Sequence, residues 1–136
     1  ILDSQLRLPL HAEILSGAPL WVFHTGGARS DLDNVELFET DADDEGRVSF
    51  ALVMKALTDK GITSVMIEAG GEVAGAAIRS GCVTDIEWFR APKLLGAEGR
   101  ACIAGLGLEE LNRAPTFNRI AVRACGADLW ETYQKG

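Results

Sequence analysis

The stretch with the clearest chemical character runs Gly61-Ile62-Thr63-Ser64-Val65-Met66-Ile67-Glu68-Ala69-Gly70-Gly71-Glu72-Val73-Ala74-Gly75-Ala76-Ala77. An apolar, β-prone run leads into two glycines and then into a small-residue helical pattern. Paired glycines let the backbone turn through dihedrals closed to other residues, and they leave no Cβ between a helix start and a ligand. Unpaired N–H groups of the first helical turn and the positive end of the helix dipole then face whatever sits there, and a pyrophosphate fits that description. The competing reading is a tight turn with close helix–sheet packing, because the pattern is not the G-x-G-x-x-G fingerprint. Glu68 adds weight to the ligand reading. A carboxylate ending a buried strand lies at the carboxyl edge of the sheet, where ligands of open α/β folds bind. Its own alternative is an exposed or helix-capping acid, which is stabilising near a helix start.

Other residues carry weaker signals. His11 and His24 are the only histidines and lie in different elements. His24 ends an apolar run and, with Thr25, Gly26 and Gly27, could line a ligand site or simply form a strand-end turn. Arg7 could meet a phosphate, although a solvated arginine is the commoner case. Asp85 reads as a residue that turns the chain into a strand. Trp21, Trp88 and Trp130 all fall in strand patterns, which points to packing. Cys82, Cys102 and Cys125 are odd in number and form no C-x-x-C pair, so they read as reduced thiols of a cytosolic protein.

The elements that must position these groups alternate strand and helix. Leu20-Trp21-Val22-Phe23-His24 is an apolar run stopped by Gly26-Gly27, and Val35-Glu36-Leu37-Phe38-Glu39 alternates with period two. The loop from Asp41 to Gly46 is acidic and reads as a solvated turn. From Ser49, apolar residues recur at helical spacing, and Lys60-Gly61 supplies the stop. Ile62 to Ile67 is the most β-like run and is expected to be a central parallel strand, with Gly70-Gly71 opening the helix that follows and Gly81 closing it. Asp85 to Phe89 is expected as a third buried strand, ended at Ala91-Pro92. Phe117 to Ala124 and Leu129 to Tyr133 flank Cys125-Gly126-Ala127-Asp128 as a closing hairpin. This order implies right-handed crossovers between parallel neighbours. The fold class expected is α/β: a mostly parallel central sheet, helices on both faces and a C-terminal antiparallel hairpin, in a single domain over residues 1–136.

The chain's 136 residues, 47% of them apolar, suffice for one core without metal or disulfide staples. A net charge of −7 argues against a surface that tracks nucleic acid. No apolar stretch approaches the roughly 18–20 residues that span a bilayer.

Several segments, in order along nearly the whole chain, resemble one family: Asp3-Ser4-Gln5-Leu6-Arg7-Leu8-Pro9, Val65-Met66-Ile67-Glu68-Ala69-Gly70-Gly71, Gly81-Cys82-Val83-Thr84-Asp85, Ala91-Pro92-Lys93-Leu94-Leu95-Gly96 and Gly126-Ala127-Asp128-Leu129. They are similar to the reductase domain of the bifunctional riboflavin-biosynthesis deaminase/reductase, which has a dihydrofolate reductase-like fold. The resemblance implies NADPH-dependent reduction of 5-amino-6-(5-phosphoribosylamino)uracil to the ribitylamino compound in the cytoplasm. It implies that Glu68 contacts substrate, that Gly70, Gly71, Glu72, Val73, Ala74, Gly75 and Ala76 form the NADPH phosphate-binding turn and helix start, and that Ser4 contacts the cofactor. Two positions depart from the family pattern: Ile86 stands where Glu is frequent, and Glu72 where Pro is frequent, which brings a negative charge toward the phosphates.

In the family a Ser-Leu-Asp-Gly segment and an Ala-Asp-Asp-Pro-x-Leu segment precede the matched stretch, so the chain is expected to be part of a longer polypeptide; a zinc deaminase domain has no counterpart in it. The alternative to a hydride-transfer enzyme is a non-catalytic nucleotide-binding or dimerising module. An uncovered sheet face or edge would favour a homodimer, with Trp130 of the hairpin as an anchor.

Overall fold

The computed structural model describes residues 1–136, which form two compact units, Ile1–Val65 and Met66–Gly136. In the first unit, β1 (Leu20–His24) and β2 (Val35–Glu39) pair in parallel, from Leu20 opposite Val35 to His24 opposite Glu39. The other edge of β1 is covered by the start of the chain: the Asp3 N–H donates to Phe23 O at 2.9 Å and the Phe23 N–H to Ile1 O at 2.9 Å. Helix α1 (Phe50–Asp59) starts after Ser49 and stops at Lys60, where Gly61 takes a positive φ of 83°. Its inward residues Phe50 and Val53 are spaced at one helical turn, as an amphipathic helix requires. Val53 joins Phe23 and Val48 in the core, packed by Leu2, Trp21, Phe38, Met54, Ala56 and Leu57. Burying each large member of that cluster is worth about 1.5–3 kcal/mol. Phe23 stacks on Phe38 at 5.1 Å between centroids, and Lys60 Nζ sits 4.5 Å from the Phe38 ring centre.

In the second unit, helix α2 (Gly71–Ser80) ends at Gly81, whose φ of 71° is the left-handed conformation of a C-terminal stop. Strands β3 (Asp85–Arg90), β4 (Phe117–Cys125) and β5 (Asp128–Lys135) form an antiparallel sheet in the order β3-β5-β4. The β4–β5 hairpin turns at Gly126-Ala127 and carries a register shift between Arg119 and Ala121.

Two expectations are overturned. Residues 62–67 join no strand ladder and every one of them is exposed, Met66 by 82%. The composition favours extended backbone, yet a strand exists only where a neighbour completes its hydrogen bonds, and neither sheet reaches this segment. The sheet is also not mostly parallel. Only β1 and β2 are parallel, and β3 pairs antiparallel with β5 and is largely exposed rather than buried. The returning hairpin, not a preceding strand, supplies its partner. The hairpin itself and helices α1 and α2 stand where the sequence places them.

Candidate functional site

Glu68 lies on the extended segment before α2, exposed and without a hydrogen bond or ion pair. Gly70 is the N-cap, with φ −69° and ψ 174°, and no side chain caps the helix. The helical ladder begins with the Ala74 N–H donating to Gly70 O at 3.1 Å. The N–H groups of Gly71 and Val73 therefore have no partner within the helix. Glu72 places its carboxylate in that first turn and stays exposed, while Val73, Ala74 and Ala76 are half-buried and Gly75 is buried.

The two glycines do different things. A Cβ on Gly71 would overlap the carbonyl oxygen of Ala101, and one on Gly75 would come within 3.2 Å of the Ala104 side chain. Gly71 and Gly75 share one helix face. The Ala104 N–H donates to Gly71 O at 2.9 Å, and Arg79 Nη1 donates to Gly105 O at 2.6 Å, so the passing backbone is strapped along that face. Close packing by the chain itself thus accounts for Gly71 and Gly75. A Cβ on Gly70 meets nothing within 4 Å. The open approach to the helix start is at Gly70, and Gly71 offers an anion its N–H rather than the room of a missing side chain.

Ser4 belongs to the first unit. Its Oγ accepts from the Val48 N–H at 2.9 Å, and its carbonyl accepts from Thr25 Oγ1 at 2.9 Å. Asp3 Oδ2 accepts from the Leu8 N–H at 2.7 Å, and Arg29 donates to the carbonyls of Leu6 (3.1 Å) and Leu8 (2.6 Å). Leu6 has φ 52°. The loop that carries Ser4 and the exposed Arg7 is thus held in one shape by polar contacts within its unit. His24 is buried and lies with Nδ1 3.2 Å from the Gly26 N–H, which closes the turn after β1.

Two features were not legible beforehand. The carboxyl ends of β1 and β2 open on a crevice of about 510 Å³ lined by Thr25, Glu39, Thr40, Asp41, Ala42 and Leu52. The acidic run after β2 carried the signal, but it read as a solvated turn. Part of it is one: Asp43 Oδ1 accepts from the Glu45 (3.0 Å) and Arg47 (2.8 Å) N–H groups, and the Arg47 and Glu45 bonds together with the Arg47 charge hold its carboxyl below the ordinary value. The second feature is Glu131, buried on β5. It accepts from Arg90 Nε at 2.8 Å and Tyr133 OH at 3.2 Å, with Arg119 Nη1 at 3.6 Å. The Arg90 bond, aided by the Tyr133 bond and both guanidinium charges, pulls its pKa below the ordinary 4.5 against the upward push of burial.

The family model described as the RibD C-terminal domain matches residues 1–130. The riboflavin biosynthesis protein RibD of Escherichia coli (strain K12) is 32% identical over 135 residues, covering 95% of this chain and 35% of that protein. The protein of the same name from Bacillus amyloliquefaciens is 28% identical over 138 residues, 95% of this chain and 36% of that one. The chain thus spans about a third of the length of these curated relatives. Among solved structures, Acinetobacter baumannii RibD (form 2) superposes with a TM-score of 0.81 at 24% identity, over 97% of this chain and 36% of that one. The Saccharomyces riboflavin biosynthesis reductase Rib7 does so at 0.67 and 17%, over 97% of this chain and 66% of that one. These likenesses share the fold.

Proposed function

Because the chain belongs to the RibD C-terminal domain family, we propose that it carries the reductase step of riboflavin biosynthesis, turning 5-amino-6-(5-phosphoribosylamino)uracil into the ribitylamino compound in the cytoplasm. The donor is a reduced nicotinamide dinucleotide, NADPH by the resemblance, and it supplies the hydride when bound. The protein's part is to hold the donor and the sugar carbon in line. The observation that carries this reading is the uncapped start of α2 with open space at Gly70. There the N–H groups of Gly71 and Val73 in the first helical turn can meet a phosphate, and the helix dipole favours its charge. Gly71 and Gly75 let the strap of residues 101–105 lie close along the helix, and Val73, Ala74 and Ala76 complete the proposed binding turn. Glu68, two residues before the N-cap, is the polar anchor for substrate. Ser4, with its Oγ engaged by Val48, contributes to cofactor binding through the shape of its loop.

No helix is long and apolar enough to cross a membrane, and the three cysteines are free and exposed. We infer a homodimer as the working form. β4 is an edge strand with Ile120 and Val122 exposed, an open ladder suited to a second copy. That edge also favours a second reading, a dimerising module without turnover.

Calorimetric titration with NADPH and NADH tests the proposal. Gly70→Val should cut dinucleotide affinity by about tenfold or more, because a branched side chain fills the approach to the phosphate, while the melting temperature stays put. Affinity unchanged in this variant would place the cofactor elsewhere.

A further inference from the structure

We propose that Arg29 is a positioning residue for phosphate recognition: without touching the ligand, it fixes the backbone on either side of Arg7, so that the Arg7 guanidinium receives a phosphate monoester at the carboxyl end of β1. This deepens, and rests on, the reading of the chain as a reductase whose Ser4 loop takes part in cofactor binding.

Residues 1–65 hold five lysines and arginines: Arg7, Arg29, Arg47, Lys55 and Lys60. Four of them are paired within the unit. Arg29 is paired with Asp31, Arg47 with Asp43 and Glu45, Lys55 with Asp59 and Lys60 with Glu36. Arg7 is exposed and engages no carboxylate. Asp3, the acid nearest to it in sequence, is turned to the backbone, its Oδ2 accepting from the Leu8 N–H at 2.7 Å.

A free surface arginine alone would carry no weight; the backbone beneath it does. Leu6, just before Arg7, is buried with a φ of 52°, a conformation that a residue other than glycine keeps only where its surroundings impose it. The carbonyls of Leu6 and Leu8, which flank Arg7, both accept from Arg29 Nη1, at 3.1 and 2.6 Å. The other edge of the same guanidinium is fixed by Asp31, with Nε and Nη2 each 2.9 Å from a carboxylate oxygen. A planar fork can make these bonds together, and an ammonium cannot. The loop is also tied to the strand end: Ser4 O accepts from the Thr25 N–H at 3.2 Å and from Thr25 Oγ1 at 2.9 Å. Thr25 follows β1 and lines the crevice, at the edge where ligands of open α/β sheets bind. Arg7 is thereby carried at that edge on a backbone set before any ligand arrives. A phosphate monoester, with close to two negative charges, suits it. The 2′-phosphate of NADPH and the 5-phosphate of the ribosylamine are both of this class.

Calorimetric titration with NADPH, NADH and ribose 5-phosphate separates the two sources, in the unsubstituted protein and in Arg7→Met, Arg29→Met, Arg29→Lys and the Arg7→Met, Arg29→Met double variant. Arg7→Met should weaken NADPH or ribose 5-phosphate by about tenfold and leave NADH unchanged. Arg29→Met should weaken the same ligand and spare NADH, and the double variant should lose no more than the larger single loss. Arg29→Lys, which keeps the charge without the fork, should behave as Arg29→Met, and it serves the same comparison where Arg29→Met does not fold. Additive losses, an equal loss of NADH affinity in the Arg29 variants, or full phosphate affinity in Arg7→Met each overturn the inference and leave the reductase reading standing. Absence of binding by both dinucleotides in the unsubstituted protein overturns that reading, and this inference with it.

Discussion

Single residues in this chain separate packing from ligand chemistry. Gly71 is committed to the carbonyl of Ala101, so Gly71→Ala should destabilise the fold by about 1–3 kcal/mol, the usual range for forcing a methyl group into a filled space. Gly70→Ala, in open space at an ordinary negative φ, should stay within about 0.5 kcal/mol. Urea denaturation of the two variants checks the contrast, and equal losses would remove the distinction drawn between the glycines. Glu131 makes a second residue-scale prediction. Its folded pKa is depressed, so the stability it contributes is present above its ordinary 4.5 and is lost as pH falls through the lower folded value. Glu131→Gln should lower the melting temperature at pH 7, and its gap to the unsubstituted protein should close in acid below pH 4.5. A gap independent of pH would mean that packing, not the Arg90 and Arg119 charges, is what Glu131 provides. Neither role was readable from sequence: Glu131 sits in an alternating strand pattern, and its partners arrive from β3 and β4.

Among the elements, those with strong local punctuation were legible and those that depend on distant partners were not. Gly26-Gly27 after Leu20–His24, Lys60-Gly61 after α1 and Gly81 after α2 mark ends that backbone chemistry fixes, and the observed bounds follow them. The start of α2 at Gly70-Gly71 is fixed in the same way. Residues 62–67 and Asp85–Arg90 have the composition of strands, but composition is silent on whether a neighbour exists or which way it runs. The first found none, and the second found β5 running antiparallel. The crevice at the ends of β1 and β2 stayed hidden because it needs both strands side by side. Native-state hydrogen exchange tests the element assignment. Backbone amides of residues 63–67 should exchange with little protection, and those of β5, paired on both sides, should be among the slowest. Strong protection at residues 63–67 would reveal a strand partner.

For the whole molecule, the open edge of β4 and the exposed run at residues 62–67 both leave backbone and apolar surface without cover. Sedimentation equilibrium at low micromolar concentration should report a dimer, and a monomer of 14.6 kDa at those concentrations would count against the homodimer. The net charge of −7 opposes non-specific association beyond that pair at neutral pH. The run Ile62-Thr63-Ser64-Val65-Met66-Ile67 has a further consequence. It is six residues long, uncharged, free of proline and glycine, and β-prone, which is the composition of a steric zipper able to stack into amyloid. Lys60 and Glu68 bracket it as gatekeepers, charges that would be piled on their like in every layer of a fibril. Removing the charge of Glu68 to probe the reaction would therefore loosen a guard against fibril formation. Glu68→Gln should raise thioflavin fluorescence on storage, and Val65→Lys should suppress it.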